Sequence, residues 1–235
     1  MFYAGRYGFL RDEFEMVHRC GLRIKVRAHT DDLMIVKSNF VTRHYFNDFV
    51  PIPKDAIVVD VGAHIGAFAV MAAREARKVL AFEPEPSNFR MLKRNVELNH
   101  STNIAIFEMA VCGFGGFQDI HIYDDGSSGS HSLCGGDGAK KTRRVRAVSL
   151  DEIVSQEGLG RIDFLKLDCE GAEHEILKEI SPDTSAKIMG MAMETHGVAS
   201  ASSIDIPARL RELGFQVKIE HQGGYVYARR TDDGA

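Results

Sequence analysis

The sequence has few cysteines and no long apolar run. Its four cysteines are scattered among 235 residues without a C-x-x-C pair, which favours free thiols in a reducing compartment. No run approaches the length needed to cross a membrane, and the opening MFYAGRYGFLRDEF lacks the apolar core of a signal peptide. These absences argue against a disulfide scaffold and a membrane span, and we expect a cytoplasmic protein of a bacterium or archaeon.

An excess of positive charge is also missing. The formal net charge is −4, which argues against binding through phosphate contacts along a nucleic acid. Hydrophobic residues make up 44% of the chain and charged residues 26%, a composition typical of soluble globular enzymes. We therefore expect a small-molecule partner and no nucleic acid, while the oligomeric state stays open.

The chain divides into three zones. Residues 1–54 combine a polar, helix-like opening with the alternating stretch LRIKVRAHTDDLMIVKSN, which predicts an N-terminal cap containing a hairpin with its turn at His29–Asp32. The main domain is predicted over residues 55–235. Within it, residues 125–141 form a glycine- and serine-rich insertion between two strands. This insertion fits either a loose hairpin tip or a lid over a substrate.

Strands and helices alternate from Ala56 onward, which indicates parallel strands joined by crossover helices. The core strands are predicted at 57–61, 79–83, 104–108, 162–167 and 187–193. The helices are predicted near 66–76, 87–99, 149–156, 172–180 and 204–213. The ending FQVKIEHQGGYVYARR predicts two antiparallel strands around Gly223–Gly224. The expected fold is α/β and Rossmann-like, a mostly parallel seven-stranded sheet with an antiparallel C-terminal hairpin and helices on both faces.

The glycine spacing of VVDVGAHIG (Val58–Gly66) indicates the kind of cofactor. A dinucleotide requires G-x-G-x-x-G, so that the backbone can approach a pyrophosphate. Here the spacing is D-x-G-x-x-x-G, and the carboxylate of Asp60 would repel a pyrophosphate. An acid at this point suits a cationic ligand, and S-adenosylmethionine carries both an ammonium and a sulfonium. The motif therefore favours a methyltransferase over a nicotinamide-dependent oxidoreductase.

Further cofactor contacts are predicted around this motif. Gly62 allows the sharp turn after the strand, Gly66 allows close helix packing, and Asp60 would accept from the ammonium directly or through water. Glu83, in LAFEPEP, is placed to bind two ribose hydroxyls, or else it is a helix-start acid. The full predicted cofactor set is Asp60, Gly62, His64, Gly66, Glu83, Pro84, Met109 and Ala110.

Two of these predictions have simple alternatives. We expect His64 to contact the cofactor through its backbone, with a ring that faces solvent. Met109 and Ala110 follow the third core strand, where an adenine would lie, but an apolar pair at this position is also ordinary core.

A second group of acids lies in FLKLDCEGAE (Phe164–Glu173). Asp168 and Glu170 follow a predicted strand whose carboxyl end lies at the same sheet edge as Asp60. Clustered acids repel one another unless something positive is near, and the candidates are Lys166, a substrate amine, the sulfonium or a metal. Capping of the next helix is the simpler explanation for one or two of these acids.

A third group lies in MAMETHG, after the fifth core strand. Glu194 and His196 face the same way if the chain stays extended. A histidine beside a carboxylate is a common arrangement for a base near neutral pH. The predicted catalytic residues are therefore Asp168, Glu170, Glu194 and His196, although such a pair can also be structural.

Five segments together resemble the FkbM family of S-adenosylmethionine-dependent methyltransferases over about residues 55–220. They are VDVGAHIGAFA, FEPEPSNFRMLKRNVELN, the helix start SLDEI, FLKLDCEGAEHEIL and METH, and the most specific element is K-x-D-x-E-G-x-E at Lys166–Glu173. The resemblance implies a class I methyltransferase fold and O-methylation of a hydroxyl on a small metabolite, sugar, glycolipid or natural product.

The resemblance also implies residue roles. Asp60, Gly62, Gly66 and Glu83 would hold the cofactor, while Asp168 and Glu170 would face the reaction centre. His64 departs from the family's usual asparagine. The N-terminal zone and the glycine-rich insertion match poorly, so they would determine which substrate is accepted.

The expected chemistry is in-line transfer of the sulfonium methyl to an alcohol oxygen, whose proton is taken by His196 or by one of Asp168 and Glu170. An alternative uses a divalent metal on Asp168, Glu194 and His196 to lower the hydroxyl pKa. We expect no metal, because the sequence shows no dedicated ligand spacing. A methyltransferase-like protein that binds cofactor without catalysis is the remaining alternative.

Overall fold

A computed structural model of the chain describes residues 2–4, 12–122, 141–196, 203–220 and 224–230. The predicted insertion at 125–141 lies outside these residues except for Lys141, so its role as a lid stays a prediction. Gly197, the last residue of the motif MAMETHG, and Gly223, in the predicted turn of the C-terminal hairpin, also lie outside them.

The elements alternate as the sequence pattern predicts. The described strands, in chain order, are β1 (Phe2–Ala4), β2 (Glu13–His18), β3 (Arg23–Arg27), β4 (Ile57–Val61), β5 (Lys78–Phe82), β6 (Ile104–Phe107), β7 (Ala110–Val111), β8 (Gly116–Ile122), β9 (Lys141–Val148), β10 (Phe164–Leu167), β11 (Gly190–Glu194), β12 (Phe215–Glu220) and β13 (Tyr225–Arg230). The described α-helices are α1 (Asp32–Lys37), α2 (Ala67–Ala72), α3 (Pro86–Leu98), α4 (Leu150–Gln156), α5 (Glu173–Glu179), α6 (Pro182–Ala186) and α7 (Ile206–Glu212).

The central sheet has seven strands in the order β12-β13-β11-β10-β4-β5-β6. Its pairs are parallel from β11 through β10, β4 and β5 to β6. Strand β13 runs antiparallel to both β11 and β12. The predicted Rossmann-like, mostly parallel seven-stranded sheet with an antiparallel C-terminal hairpin is confirmed.

Helices cover both faces of this sheet, because alternate residues of a strand point to opposite sides. Val59 of β4 packs in one core with Ile153 of α4 and Ile176 of α5. Its neighbour Val58 packs in another core with Phe68 of α2 and Leu92 of α3. The prediction of helices on both faces is therefore confirmed.

Two helices begin where local chemistry favours a start. Ser149 and Glu152 form a reciprocal capping box at α4, since each side chain accepts a hydrogen bond from the other's backbone N–H. At α3, Glu85 accepts from the backbone of Asn88 at 2.7 Å, and Pro86 occupies the first helical position.

The predictions for the N-terminal zone need correction. The helix-like opening contains strands β1 and β2 within its described part, and the hairpin joins β2 to β3. The predicted turn at His29–Asp32 instead precedes helix α1. The fully buried carboxylate of Asp32 accepts hydrogen bonds from the backbone and guanidinium of Arg27, which fixes the start of the helix against the end of β3.

The N-terminal elements pack beside the central sheet rather than apart from it. Ile24 and Val26 of β3 share one apolar core with Val36 of α1, with Ala67 of α2 and with Met91 of α3. A π-helical segment, Ser38–Thr42, continues α1. This packing brings α1 and the π-helical segment to the edge where the parallel strands end.

Candidate active site

A cavity of about 380 Å³ lies at the carboxyl edge of the parallel strands, where open α/β sheets bind ligands. Eight of the predicted site residues line it: Gly62, His64, Glu83, Pro84, Ala110, Asp168, Glu170 and Glu194. Four predicted residues do not line it: Asp60, Gly66, Met109 and His196. The structure thus brings together residues that lie more than a hundred positions apart in the chain.

The turn after β4 requires glycine at its first position. Gly62 has a φ of +74°, and a Cβ there would collide with the backbone carbonyl of Asp168. Gly66 has a φ of +84°, and a Cβ there would meet Leu92 of α3 at 2.6 Å. The expected sharp turn and close helix packing are both present.

Glu83 borders the cavity and binds two backbone groups. Its carboxylate accepts from His64 and Glu85, each at 2.9 Å. Burial raises the pKa of Glu83 to about 7, although these two hydrogen bonds act to lower it. The alternative role of helix-start acid is filled by Glu85, because that residue caps α3.

His64 is placed differently from its prediction. Its backbone has a left-handed φ of +51° and donates to Glu83, but its ring is buried rather than facing solvent. The ring nitrogen Nε2 lies 3.8 Å from Asp32 Oδ1. The reason is tertiary: α1 covers the turn, so His64 faces the N-terminal zone.

Met109 and Ala110, both predicted to lie beside an adenine, are placed differently in the structure. Ala110 lines the cavity together with Val111 and Ile120. Met109 packs partly buried against the main core and does not line the cavity. The structure therefore favours the ordinary-core alternative for Met109.

A buried lysine lies beneath the cavity. Lys166 of β10 is level with Asp60 of β4 in the parallel register, and its ammonium lies 3.1 Å from Asp60 and 3.4 Å from Asp168. It also donates to the carbonyl of Gly62 at 2.8 Å. Burial acts to lower the pKa of Lys166, but the charges of Asp60 and Asp168 hold it above its ordinary value.

The position of Asp60 bears on its expected role, contact with the ligand ammonium directly or through water, which stays a prediction. Its side chain is fully buried, faces Lys166 and does not border the cavity. Asp60 therefore provides a counter-charge for the buried Lys166 ammonium. The requirement for positive charge near the acids is met by Lys166, one of the candidates that the sequence offered.

Two tyrosines that the sequence analysis missed hold the acids in place. The hydroxyl of Tyr45 donates to Asp168 at 2.8 Å and lies 3.3 Å from Glu194, and that of Tyr225 donates to Glu194 at 3.1 Å. Burial raises the pKa of Tyr45 well above its usual value, and the charges of Asp168 and Glu194 add to this effect. No local motif marks either tyrosine, because both reach the site through tertiary packing.

Glu173 organises the turn that carries Asp168 and Glu170. It is fully buried, and its two oxygens accept from the backbones of Cys169 and Gly171, each at 2.8 Å. The same carboxylate lies 3.2 Å from Nδ1 of His196. Its place in the motif K-x-D-x-E-G-x-E is the sequence signal that could have identified Glu173.

His196 lies between two acids. Its Nε2 lies 3.5 Å from Glu170. Burial acts to lower the pKa of His196, but the hydrogen bond and charge of Glu173, followed by the charge of Glu170, raise it to about 9. Conversely, burial raises the pKa of Glu170 to about 7, and the charge of His196 limits this rise.

One group of ligand atoms could hold a cation. Single oxygen or nitrogen atoms of Asp168, Glu194 and His196 all lie within 4.8 Å of one another. Burial raises the pKa of Glu194, and the charge of Asp168 adds to the rise. The two carboxylates suit Mg²⁺ or Mn²⁺, whereas His196 would be a ligand only after losing its proton. The structure thus brings together the metal set considered from the sequence.

Comparison with known proteins gives a family match over most of the chain. A family model described as "Methyltransferase FkbM domain" matches residues 60–217. The chain is 28% identical to the 31-O-demethyl-FK506 methyltransferase FkbM of Streptomyces tacrolimicus, over 82% of this chain and 87% of that protein.

Two further likenesses cover a smaller share of the other protein. The chain is 28% identical to the AMB antimetabolite synthetase AmbE of Pseudomonas aeruginosa over 77% of its own length, but this spans only 10% of AmbE. The crystal structure of the methyltransferase FkbM from Methylobacillus flagellatus KT is similar with a TM-score of 0.52 and 18% identity. That match covers 81% of this chain and 47% of the crystallised one.

Among the residues that the structure describes, there is no helix whose length and apolar character would suit a membrane span.

Proposed function

The chain belongs to the FkbM methyltransferase family, and we propose that it transfers the methyl group of S-adenosylmethionine to a hydroxyl of a small molecule. The observation that carries this proposal is a single cavity bordered by the Gly62 turn and Glu83 on one side and by Asp168, Glu170 and Glu194 on another. A methyl donor and a base for the acceptor proton must meet in one such space.

The donor side of the cavity fits the adenosine part of this ligand. The backbone around Gly62 leaves no room for a Cβ, the Glu83 carboxylate suits two ribose hydroxyls, and Ala110 with Val111 offers an apolar wall for the base. Pro84 lines the cavity next to Glu83. When bound, S-adenosylmethionine supplies an electrophilic methyl group on a sulfonium.

Glu170 is the general base of this proposal. A hydroxyl is a poor nucleophile, so its proton must leave as the new bond forms. His196 has a pKa raised to about 9, because Glu173 and Glu170 outweigh its burial, and it therefore holds its proton at neutral pH. Glu170 lines the cavity with a pKa raised by burial to about 7, close to the value that favours general-base catalysis. His196 then serves to hold Glu170 ionised.

The acceptor class is a hydroxyl on a small metabolite, sugar, glycolipid or natural product. The Streptomyces relative is named as a methyltransferase of a 31-O-demethyl compound, so its name refers to a methyl group on oxygen, which supports a hydroxyl acceptor. The wall made by α1 and the π-helical segment, including Met34 and Ile35, would contribute to the choice of acceptor.

A metal-assisted version of the same transfer is the second candidate, and the grouping of Asp168, Glu194 and His196 favours it. These residues would hold Mg²⁺ or Mn²⁺, which would lower the pKa of the acceptor hydroxyl. Full activity after exhaustive chelation would eliminate this candidate. Loss of activity that added Mg²⁺ or Mn²⁺ restores would replace the metal-free proposal.

Calorimetry tests the ligand directly. We expect S-adenosylhomocysteine to bind and NAD not to bind, and the reverse result would make the protein a nicotinamide-binding protein. Release of S-adenosylhomocysteine is then followed with a panel of hydroxylated natural products and sugars. Cofactor binding without turnover on any panel member would favour a non-catalytic methyltransferase-like protein.

We propose the cytoplasm as the location of the protein, since Cys20, Cys112 and Cys169 are free thiols in the structure.

A further inference from the structure

Asn39 is a polar residue in the wall of the cavity that no sequence motif identifies. It lies in the π-helical segment Ser38–Thr42, lines the cavity and is 4% exposed. π-helical turns are rare and are found disproportionately at functional sites. The segment ends at Arg43, whose left-handed φ of +56° stops the helix.

The orientation of the Asn39 amide is determined by one hydrogen bond. Its Nδ2 donates to the backbone carbonyl of Ile35 at 2.9 Å. The buried Oδ1 has no hydrogen-bond partner among the residues that the structure describes. The flipped amide would place Oδ1 against the Ile35 carbonyl, where two acceptors repel each other. Asn39 therefore carries, in the wall of the cavity, an amide oxygen that lacks a hydrogen-bond partner within the described residues.

The π-helical segment that carries Asn39 packs against α2, the helix that follows the turn assigned to the methyl donor. Val36 and Phe40, on either side of Asn39 in the sequence, pack in one core with Ile65 and Ala67, which flank Gly66. A buried acceptor without a partner is unfavourable until a donor group binds it. A hydrogen-bond donor on the bound ligand is therefore a suitable partner for Asn39 Oδ1.

The ammonium of the ligand needs such an acceptor. Both carboxylate oxygens of Asp60, which the sequence predicts for this contact, also lack a hydrogen-bond partner among the described residues. Asp60 nevertheless lies 3.1 Å from the Lys166 ammonium and does not border the cavity. We infer that Asn39 Oδ1 accepts a hydrogen bond from the ammonium of the methionine part of S-adenosylmethionine. This inference rests on the proposed function and adds a residue of the N-terminal zone to those that would bind S-adenosylmethionine.

Two ligands separate this contact from a general effect on the cavity. S-adenosylhomocysteine carries the ammonium, whereas 5′-methylthioadenosine has the same adenosine and a thioether but no amino-acid part. Calorimetry with both ligands would compare the wild-type protein with Asn39→Leu. Thr42→Val is the matched control, because Thr42 makes the same kind of bond, to the Ser38 carbonyl at 3.1 Å, on an exposed position of the same segment.

We expect Asn39→Leu to raise the Kd for S-adenosylhomocysteine roughly ten- to hundredfold, the range for losing a hydrogen bond to a charged group. The Kd for 5′-methylthioadenosine should stay within about twofold, far below one tenfold step of affinity. Thr42→Val should change neither Kd, and thermal unfolding checks that each variant is folded.

Three results would overturn the inference. Equal weakening of both ligands would show that Asn39 only supports the shape of the cavity. An unchanged Kd for S-adenosylhomocysteine, with a raised KM for the methyl acceptor, would move the contact to the acceptor. A wild-type protein that binds neither ligand would remove the proposed function as well, and so differs from the first two results.

Discussion

The ammonium of Lys166 lies 3.1 Å from the carboxylate of Asp60, and both side chains are buried. The two residues are paired in register on neighbouring parallel strands, which places their side chains on the same face of the sheet. Asp168, at the end of the Lys166 strand, lies 3.4 Å from the same ammonium. The buried Lys166 ammonium thus connects Asp60, on the strand before the Gly62 turn, to Asp168 in the group of acids.

Removal of this cation should destabilise the fold. Lys166→Met leaves the Asp60 carboxylate buried without a counter-charge, and we expect a loss of about 3–5 kcal/mol in unfolding free energy. Urea unfolding measures this loss. Lys78→Met is the control, since Lys78 pairs with Glu157 at 2.8 Å in a partly exposed position, and should cost at most about 1 kcal/mol. Similar losses for both variants would contradict the role of the buried pair.

Ionisation of Glu170 should cause the acidic limb of the pH–rate profile. Its pKa is raised by burial to about 7, so turnover should rise as the pH rises through about 7 and the carboxylate ionises. Glu170→Gln should abolish this limb and lower kcat by about 10²–10⁴-fold. Glu83→Gln is the comparison, because burial raises the pKa of Glu83 to about 7 as well. If the acidic limb persists in Glu170→Gln and disappears in Glu83→Gln, the limb reports the ionisation of Glu83 instead of Glu170.

His196 should influence Glu170 through its charge. The charge of His196 holds the pKa of Glu170 below the value that burial alone would give. In His196→Asn, this charge is absent, and the acidic limb of kcat should move to higher pH. An unmoved limb with a large fall in kcat would instead indicate that His196 takes part in proton transfer itself.

His196 should also make stability depend on pH. Its pKa is raised from 6.5 to about 9 by Glu173 and Glu170, which outweigh its burial. The native state then holds the proton more tightly than the unfolded chain, so this stabilisation is complete below pH 6.5 and is lost as the pH rises through 9. The advantage of wild type over His196→Asn in urea unfolding should shrink by about 2–3 kcal/mol between pH 6 and 9.5. A constant difference would contradict this.

Tyr45 should affect both stability and turnover. Tyr45→Phe keeps the ring but removes the hydroxyl that donates to Asp168, which should cost about 1–3 kcal/mol and lower kcat. Tyr227→Phe is matched to it, since the Tyr227 hydroxyl lies 3.0 Å from both the His44 carbonyl and the Glu220 carboxylate and donates its one proton to one of them. We expect that control to lose stability without losing turnover. Equal kinetic effects would contradict a specific role for Tyr45.

Alanine substitutions at Gly62 and Gly158 should distinguish the cost of a left-handed backbone from the cost of a steric collision. Gly62 and Gly158 both have a left-handed φ, but only at Gly62 would a Cβ strike a neighbouring backbone, while nothing lies within 4 Å of a Cβ at Gly158. Gly158→Ala should therefore cost about 1 kcal/mol. Gly62→Ala should remove S-adenosylhomocysteine binding or prevent folding, as calorimetry and circular dichroism would show. Ligand binding by a folded Gly62→Ala protein would contradict the turn geometry.

Much of the main domain was predictable because its signals are local. Alternation of apolar strands and helices gave positions that overlap β4, β5, β6, β10 and β11, and Ser149 with Glu152 marks a helix start that the structure confirms. The ends of parallel strands meet at one edge, which is why acids from three separate motifs were expected together.

The N-terminal zone was harder, because one apolar pattern suits more than one element. The stretch after His29 alternates enough to indicate a strand, yet the buried contact between Asp32 and Arg27 makes it a helix. The burial of His64 and the contribution of Tyr45 both follow from this packing. The division at residue 54 and the lid at 125–141 stay predictions.

The sequence alone determined the fold class, the family and the identity of the acids, since glycine spacing and strand-end residues are properties of short segments. Only the tertiary structure decided which atoms each acid faces. Asp60 lies opposite Lys166 because of strand register, and Tyr45 reaches Asp168 across 123 positions of sequence. Such contacts depend on how elements pack, and no local pattern encodes that packing.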